Sequence, residues 1–263
     1  MTAGIKRIAL SFLLLGQGLV FGGLVECQWD PISMDRIGDM AIDDFVPQNG
    51  YSYSFVNGSR DITDGSDFTA VREAFGTWIQ EPGSNLWASE GTGSRSFTPG
   101  EMNHQNDISW ISATAGDSDP WSNLLQLSNQ IIAVVMTWYN TATRQVVERD
   151  IYFNDVDMHW RTDSDGEESG GYNVEHIALH EIGHIFGLKD VYNPGEPGWE
   201  SWMGSGNQGL TMYGYSSWQN NDVTLDEASL AAMALLHPSA VPEAGSVSLF
   251  GLAAGILLVT RRR

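Results

Sequence analysis

The sequence predicts an α+β domain, with strands filling most of the first half and two helices in the second. Two patterns predict it. Strand-like alternation recurs at 51–56, 107–112 and 131–139, whereas apolar residues fall at helical spacing over 68–78, 173–188 and 225–236. No internal repeat interrupts this order. The 263 residues, 42% of them hydrophobic and including ten Trp and ten Phe, suffice for one sizeable core.

The elements follow along the chain. Residues 1–27 read as a secretory signal, in which Lys6 and Arg7 precede an apolar run from Ile8 to Val25 and cleavage follows Cys27. A lipoprotein site at Cys27 is the rival reading, which Glu26 disfavours. Residues 28–48 form an irregular lead-in with Pro31 and Pro47, and 49–239 form the domain itself. Tyr51 to Val56 alternates as a half-buried strand does. Asp67 is the expected N-cap of a helix carrying Phe68, Val71, Ala74, Phe75 and Trp78, which stops before Glu81-Pro82-Gly83. Gly- and Ser-rich sequence from Gly83 to Gly100 reads as a loop. Asp107 to Ser112 and Ile131 to Tyr139 are the next two strands, and Asp150 to Phe153 begins a fourth. An acidic loop with Asp155, Asp157, Asp163, Asp165, Glu167 and Glu168 leads to a helix from about Asn173 to Leu188. The last helix runs from about Leu225 to Leu236.

Charge narrows the partners. Thirteen Lys+Arg against 33 Asp+Glu give a net charge of −20, which repels phosphates and argues against nucleic acid. The acidic residues read as a solvated surface or, in part, as oxygen ligands for structural calcium. Asp163-Ser164-Asp165-Gly166 only faintly echoes a calcium loop. With Cys27 the single cysteine, disulfides do not hold this fold.

The chemistry concentrates in His180-Glu181-Ile182-Gly183-His184-Ile185-Phe186-Gly187-Leu188-Lys189-Asp190. Side chains four apart on a helix share a face, so His180 and His184 can both reach one zinc ion. Glu181 lies beside them, where it can hold a metal-bound water. Gly187 suits the positive φ that ends a helix, and the turn brings Asp190 within reach as a third ligand. Three protein ligands plus water make an open, catalytic kind of zinc site. His176, one turn upstream, reads as a capping or surface residue.

This stretch resembles the zinc motif of the metzincin metallopeptidases, and within that clan the chain looks like a matrixin-type catalytic domain. Leu210-Thr211-Met212-Tyr213-Gly214-Tyr215 resembles the clan's methionine turn, which places Met212 beneath the zinc. Asp150-Ile151-Tyr152-Phe153-Asn154, Thr224-Leu225-Asp226-Glu227 and Leu236-His237-Pro238 are further similarities. The resemblance implies a metzincin-like α+β fold: a twisted, mostly antiparallel sheet with an active-site helix, the methionine turn and a C-terminal helix. It implies an endopeptidase in which zinc activates water and Glu181 is the general base. An extended peptide or protein substrate would pair with the edge strand at Ile131 to Tyr139. Tyr213 and Tyr215 are candidates for lining the cleft, with buried packing as their plainer role. Most metzincins have a histidine where this chain has Asp190, and the chain has no cysteine-bearing propeptide motif. A non-catalytic zinc-containing envelope binding or adhesion protein, or a metallohydrolase with a non-peptide substrate, are the rival functions. An intact Glu181 and the methionine turn speak against them.

Residues 240–263 resemble a PEP-CTERM sorting signal: Val241-Pro242-Glu243-Ala244-Gly245, an apolar stretch from Val247 to Thr260, then Arg261, Arg262 and Arg263. The usual motif has Pro where Ala244 stands. The resemblance implies transient membrane association, an exosortase-type processing enzyme, and export to the envelope or exterior of a Gram-negative bacterium. A simple tail anchor is the alternative, although spanning a bilayer typically takes about 20 apolar residues.

Overall fold

The computed structural model describes residues 48–81, 84–92, 97–162, 170–201 and 203–239, together with the backbone of three short strands before them. Those three are β1 (Val25–Gln28), β2 (Asp35–Ile37) and β3 (Met40–Ile42). The body follows as β4 (Gly50–Phe55), α1 (Ser66–Ile79), β5 (Trp87–Glu90), β6 (Asn106–Ile111) and the short α2 (Pro120–Asn123). Next come β7 (Ala133–Asn140), β8 (Val146–Asn154), β9 (Trp160–Arg161) and β10 (Tyr172–Asn173). Helices α3 (Val174–Ile185) and α4 (Glu227–Leu236) complete it. The leader and lead-in, apart from those short strands, the core of the acidic loop at 163–169 and the C-terminal segment from 240 lie outside the described residues.

The five body strands lie in the order β5-β4-β6-β8-β7, and β1 adds a sixth beyond β7. The expected mostly antiparallel sheet is corrected here. β4 pairs in parallel with β5 and with β6, and β6 pairs in parallel with β8. Only β7 with β8 and β1 with β7 are antiparallel. The reason is connectivity. Parallel neighbours need a crossover, and α1 supplies one between β4 and β5. The stretch from Ser112 to Ile132 takes the chain past the place of β8 to the edge, where β7 runs back antiparallel and a tight turn then returns β8 beside β6, parallel to it.

Both faces of the sheet are covered. On one, α1 and α3 pack Val71, Ala74, Phe75, Trp78, Ala178 and Ile182 against Tyr51, Tyr53, Trp110 and Phe153. Rings stack there, Tyr53 on Phe75 at 4.6 Å and Trp110 on Phe153 at 4.5 Å. The other face buries Trp121, Leu125 and Leu127 from the long crossover against Val134, Met136, Trp138 and Tyr152. Among the described residues no helix is long and apolar enough to cross a membrane.

Three local expectations change. β5 lies where a Gly/Ser loop was expected. It is held at the sheet edge by parallel pairing, by the Ser52 and Ser89 hydroxyls 2.9 Å apart, and by Arg72 on Glu90 at 2.7 Å. Asp67 is not the cap of α1, which begins one residue earlier after Gly65. Buried Asp67 instead accepts from the Ser59 amide at 2.8 Å and ties the chain after β4 to the helix. β8 starts at Val146, ahead of the expected Asp150.

Candidate metal centre

The site is built on α3. Its N-terminus is capped by the Asn173 side chain, which accepts from the His176 amide at 3.2 Å. Val174, Ile177, Ala178, Ile182 and Ile185 bury one face, so His180 and His184 emerge on the neighbouring face towards a cleft. The helix stops at Gly187, whose φ of 100° suits a residue without a side chain. The chain then turns back and brings Asp190 under the two imidazoles.

The ligand atoms converge. His180 Nε2 and His184 Nε2 are 3.1 Å apart, and Asp190 Oδ1 lies 3.0 Å from the first and 3.4 Å from the second. Each Nδ1 points at a backbone carbonyl, His180 at Thr211 O and His184 at Leu188 O, both at 2.8 Å. A carbonyl only accepts, so both Nδ1 atoms carry the proton and both Nε2 atoms present lone pairs. Two lone pairs and a carboxylate oxygen at such distances repel one another unless a cation joins them. A tetrahedral zinc with bonds of about 2.0–2.1 Å needs ligand atoms about 3.3 Å apart, which is the triangle found. The residues fit the ion. Burial alone pushes the Asp190 carboxyl up, but positive charge shared with the two facing histidines, from a proton or a metal ion, reverses this and holds it well below the ordinary carboxylate range.

Glu181 is 4% exposed, and its Oε2 has no hydrogen-bond partner among the described residues. Burial pushes its carboxyl up to about 8. Met212 is fully buried against α3, at Gly183, where a methyl group would collide with its sulfur. Its segment is joined to the ligand turn by Val191 N to Met212 O at 2.8 Å and Gly214 N to Val191 O at 3.1 Å.

A cavity of about 370 Å³ opens beside His180 and Glu181, walled by Ile131–Ala133 at the start of β7, Leu210, and both Tyr213 and Tyr215. Tyr213 donates to Glu196 at 2.6 Å, and Tyr215 is 37% exposed, so these two rings line the cleft rather than the core. His176 also lines it and is half-buried there. Its Nδ1 lies 2.6 Å from Asp222 O and its Nε2 3.2 Å from Ser216 Oγ, and it does not join the ligand triangle.

Several supports carry no local signature in the sequence. Arg149 from β8 donates to His184 O at 3.0 Å and to Ile185 O, neutralising the end of α3. Buried His237 reaches Phe186 O at 2.8 Å, and Trp78 donates to Leu179 O at 2.9 Å. Tyr192 donates to Asp190 Oδ2 at 3.0 Å. Among the described residues no comparable cluster supports calcium, and Asp163, Asp165, Glu167 and Glu168 lie outside them. Asp155 is spent on Ser59, Arg60 and Ser112, and Asp157 accepts from Asn154. Among the described residues the only metal-competent group of three is His180, His184 and Asp190.

Comparison with known proteins bears on the same residues. The matrixin family profile matches residues 45–196, more than half of the 263-residue chain, from before β4 to beyond Asp190. A comparison with curated proteins finds no match. The profile stops short of Met212 and α4, so their likeness to the family rests on sequence and packing alone. Matrixins are metallopeptidases with a catalytic zinc, and the His-His-Asp cluster falls within the matched span. The chain belongs to the matrixin family.

Proposed function

We propose that this protein is an exported zinc-dependent endopeptidase in which Glu181 is the general base and His180, His184 and Asp190 hold the metal. The observation that carries the reading is the convergence of three lone-pair donors, at 3.0 to 3.4 Å from one another, beside a buried carboxyl with an unpartnered oxygen. When bound, zinc supplies Lewis acidity and lowers the pKa of its water towards 7. Glu181 accepts the proton released by that water and passes it to the leaving amine, and its buried Oε2, without a partner among the described residues, is left for that contact. Thr211 and Leu188 carbonyls fix the tautomer and tilt of the two imidazoles. An extended substrate aligns on the outer edge of β7. β1, three of whose four residues belong to the proposed leader, occupies that edge only along Thr137–Asn140, and among the described residues nothing pairs with the outer edge of Ala133 to Met136. Main-chain pairing there supplies affinity, and the 370 Å³ cavity takes a side chain next to the scissile bond.

Export rests on the leader at 1–27, and envelope sorting by an exosortase-type enzyme, with transient membrane association, on the segment at 240–263. Casein or gelatin cleavage by the zinc-loaded protein tests the central reading. Glu181→Gln is expected to lower kcat by about 10²–10⁴-fold with zinc content unchanged. Cleavage at the wild-type rate by that variant would remove Glu181 from the mechanism. No cleavage by the wild-type protein would leave a zinc-containing binding protein.

A further inference from the structure

Asp190 offers two oxygens, and the structure gives them different partners. Oδ1 faces both histidine Nε2 atoms, while Oδ2 accepts the Tyr192 hydroxyl at 3.0 Å. The Tyr192 ring is firmly seated, with 7% exposure. Gly198 and Gly214 lie against it so closely that a methyl group on either would run into the ring. Tyr215 closes edge-on at 5.6 Å, and the Tyr192 amide donates to Met203 Sδ at 3.4 Å. Backbone bonds between Val191 and the Met212–Gly214 segment hold the stretch that carries both residues. The hydroxyl cannot easily leave Oδ2.

A carboxylate in the third ligand position differs from an imidazole in two ways. It carries a full negative charge, and it can chelate through both oxygens. Chelation would fill the coordination position that a catalytic zinc keeps for water. The geometry points to Tyr192 as a positioning residue that makes Asp190 a one-oxygen ligand and, by donating to the outer oxygen, offsets part of its charge. A carboxylate so restrained leaves the metal an open position, much as a neutral histidine would. The inference rests on Asp190 being the third ligand, and the test separates the two.

The full chain is stripped of metal and reloaded with zinc or with cobalt(II), whose visible absorption reports coordination number. Tyr192→Phe is expected to bind one equivalent of metal, to lose much of the tetrahedral cobalt absorption as Asp190 chelates, and to lower kcat about 10–100-fold with KM unchanged. A cobalt spectrum superposing on that of the wild type, or an unchanged kcat, overturns the role of Tyr192. Should Tyr192→Phe fail to fold, zinc X-ray absorption on the wild-type protein decides without a variant. One carboxylate oxygen in the zinc shell supports the inference and two refute it. Asp190→Ala is expected to lose zinc. If it binds zinc as the wild type does, the third-ligand reading fails instead.

Discussion

Glu181 and Asp190 are two buried carboxyls within one site, and their surroundings drive them in opposite directions. Positive charge shared with the two histidines holds Asp190 well below the ordinary carboxylate range, as suits a proposed ligand. Glu181 is desolvated by burial and rises to about 8 in the metal-free protein. This separation has a measurable consequence in the metal-free protein. Between the ordinary glutamate value of 4.5 and about 8, the folded chain holds a proton on Glu181 that the unfolded chain has released. Folding is therefore favoured most below pH 4.5 by this group, and its contribution is lost as pH rises through 8. In chelator, the unfolding midpoint of the wild type is expected to fall between pH 5 and 8 relative to that of Glu181→Gln. Parallel profiles for the two proteins would show that Glu181 is hydrated and titrates normally.

Helix α3 supplies two of the three proposed ligands, yet what aims them comes from other elements. Asp226 shows how. It caps α4, accepting from the Ala228 and Ser229 amides at 2.9 Å each, and its Oδ2 also accepts from the Thr211 amide at 2.9 Å. Thr211 in turn offers its carbonyl to His180 Nδ1 at 2.8 Å. One carboxylate thus starts a helix and orients a metal ligand. Asp226→Ala is expected to cost about 1–2 kcal/mol in the metal-free protein by denaturant unfolding, from the lost cap. It should also weaken zinc binding, because the Thr211 segment loses its anchor. A stability loss with zinc affinity intact would confine Asp226 to the cap. The same chain of contacts explains what the sequence did and did not disclose. His180, Glu181, His184 and Asp190 sit within eleven residues, so helical spacing and one turn bring them together. Arg149 is 35 residues from His184 and nothing local marks it as a support, while His237, 51 from Phe186, stands in a family-like motif that does not disclose its contact. Tyr192 lies two residues from a ligand, but only the returning 212–214 segment makes its hydroxyl meet Asp190.

At the scale of the whole chain, α+β composition and the places of β4, β6, β7 and β8 were legible because alternation and helical spacing are local signals. Strand direction was not, since it depends on where a crossover lands, and neither Ser112–Ile132 nor the edge strand at Trp87–Glu90 carries a pattern that says so. Net charge is a global property that sequence does give, and −20 bears on substrates. A strongly acidic body attracts basic peptides and raises their encounter rate, and salt removes this as the Debye length shrinks from about 30 Å at 0.01 M to about 8 Å at 0.15 M. Two fluorogenic peptides sharing one scissile sequence, one flanked by Lys and one by Glu, measure the effect. At 0.01 M ionic strength the Lys-flanked peptide is expected to have the higher kcat/KM, with the ratio falling towards one at 0.15 M. A ratio that does not move with salt would mean that short-range contacts in the cleft, not the field of the acidic surface, choose between them.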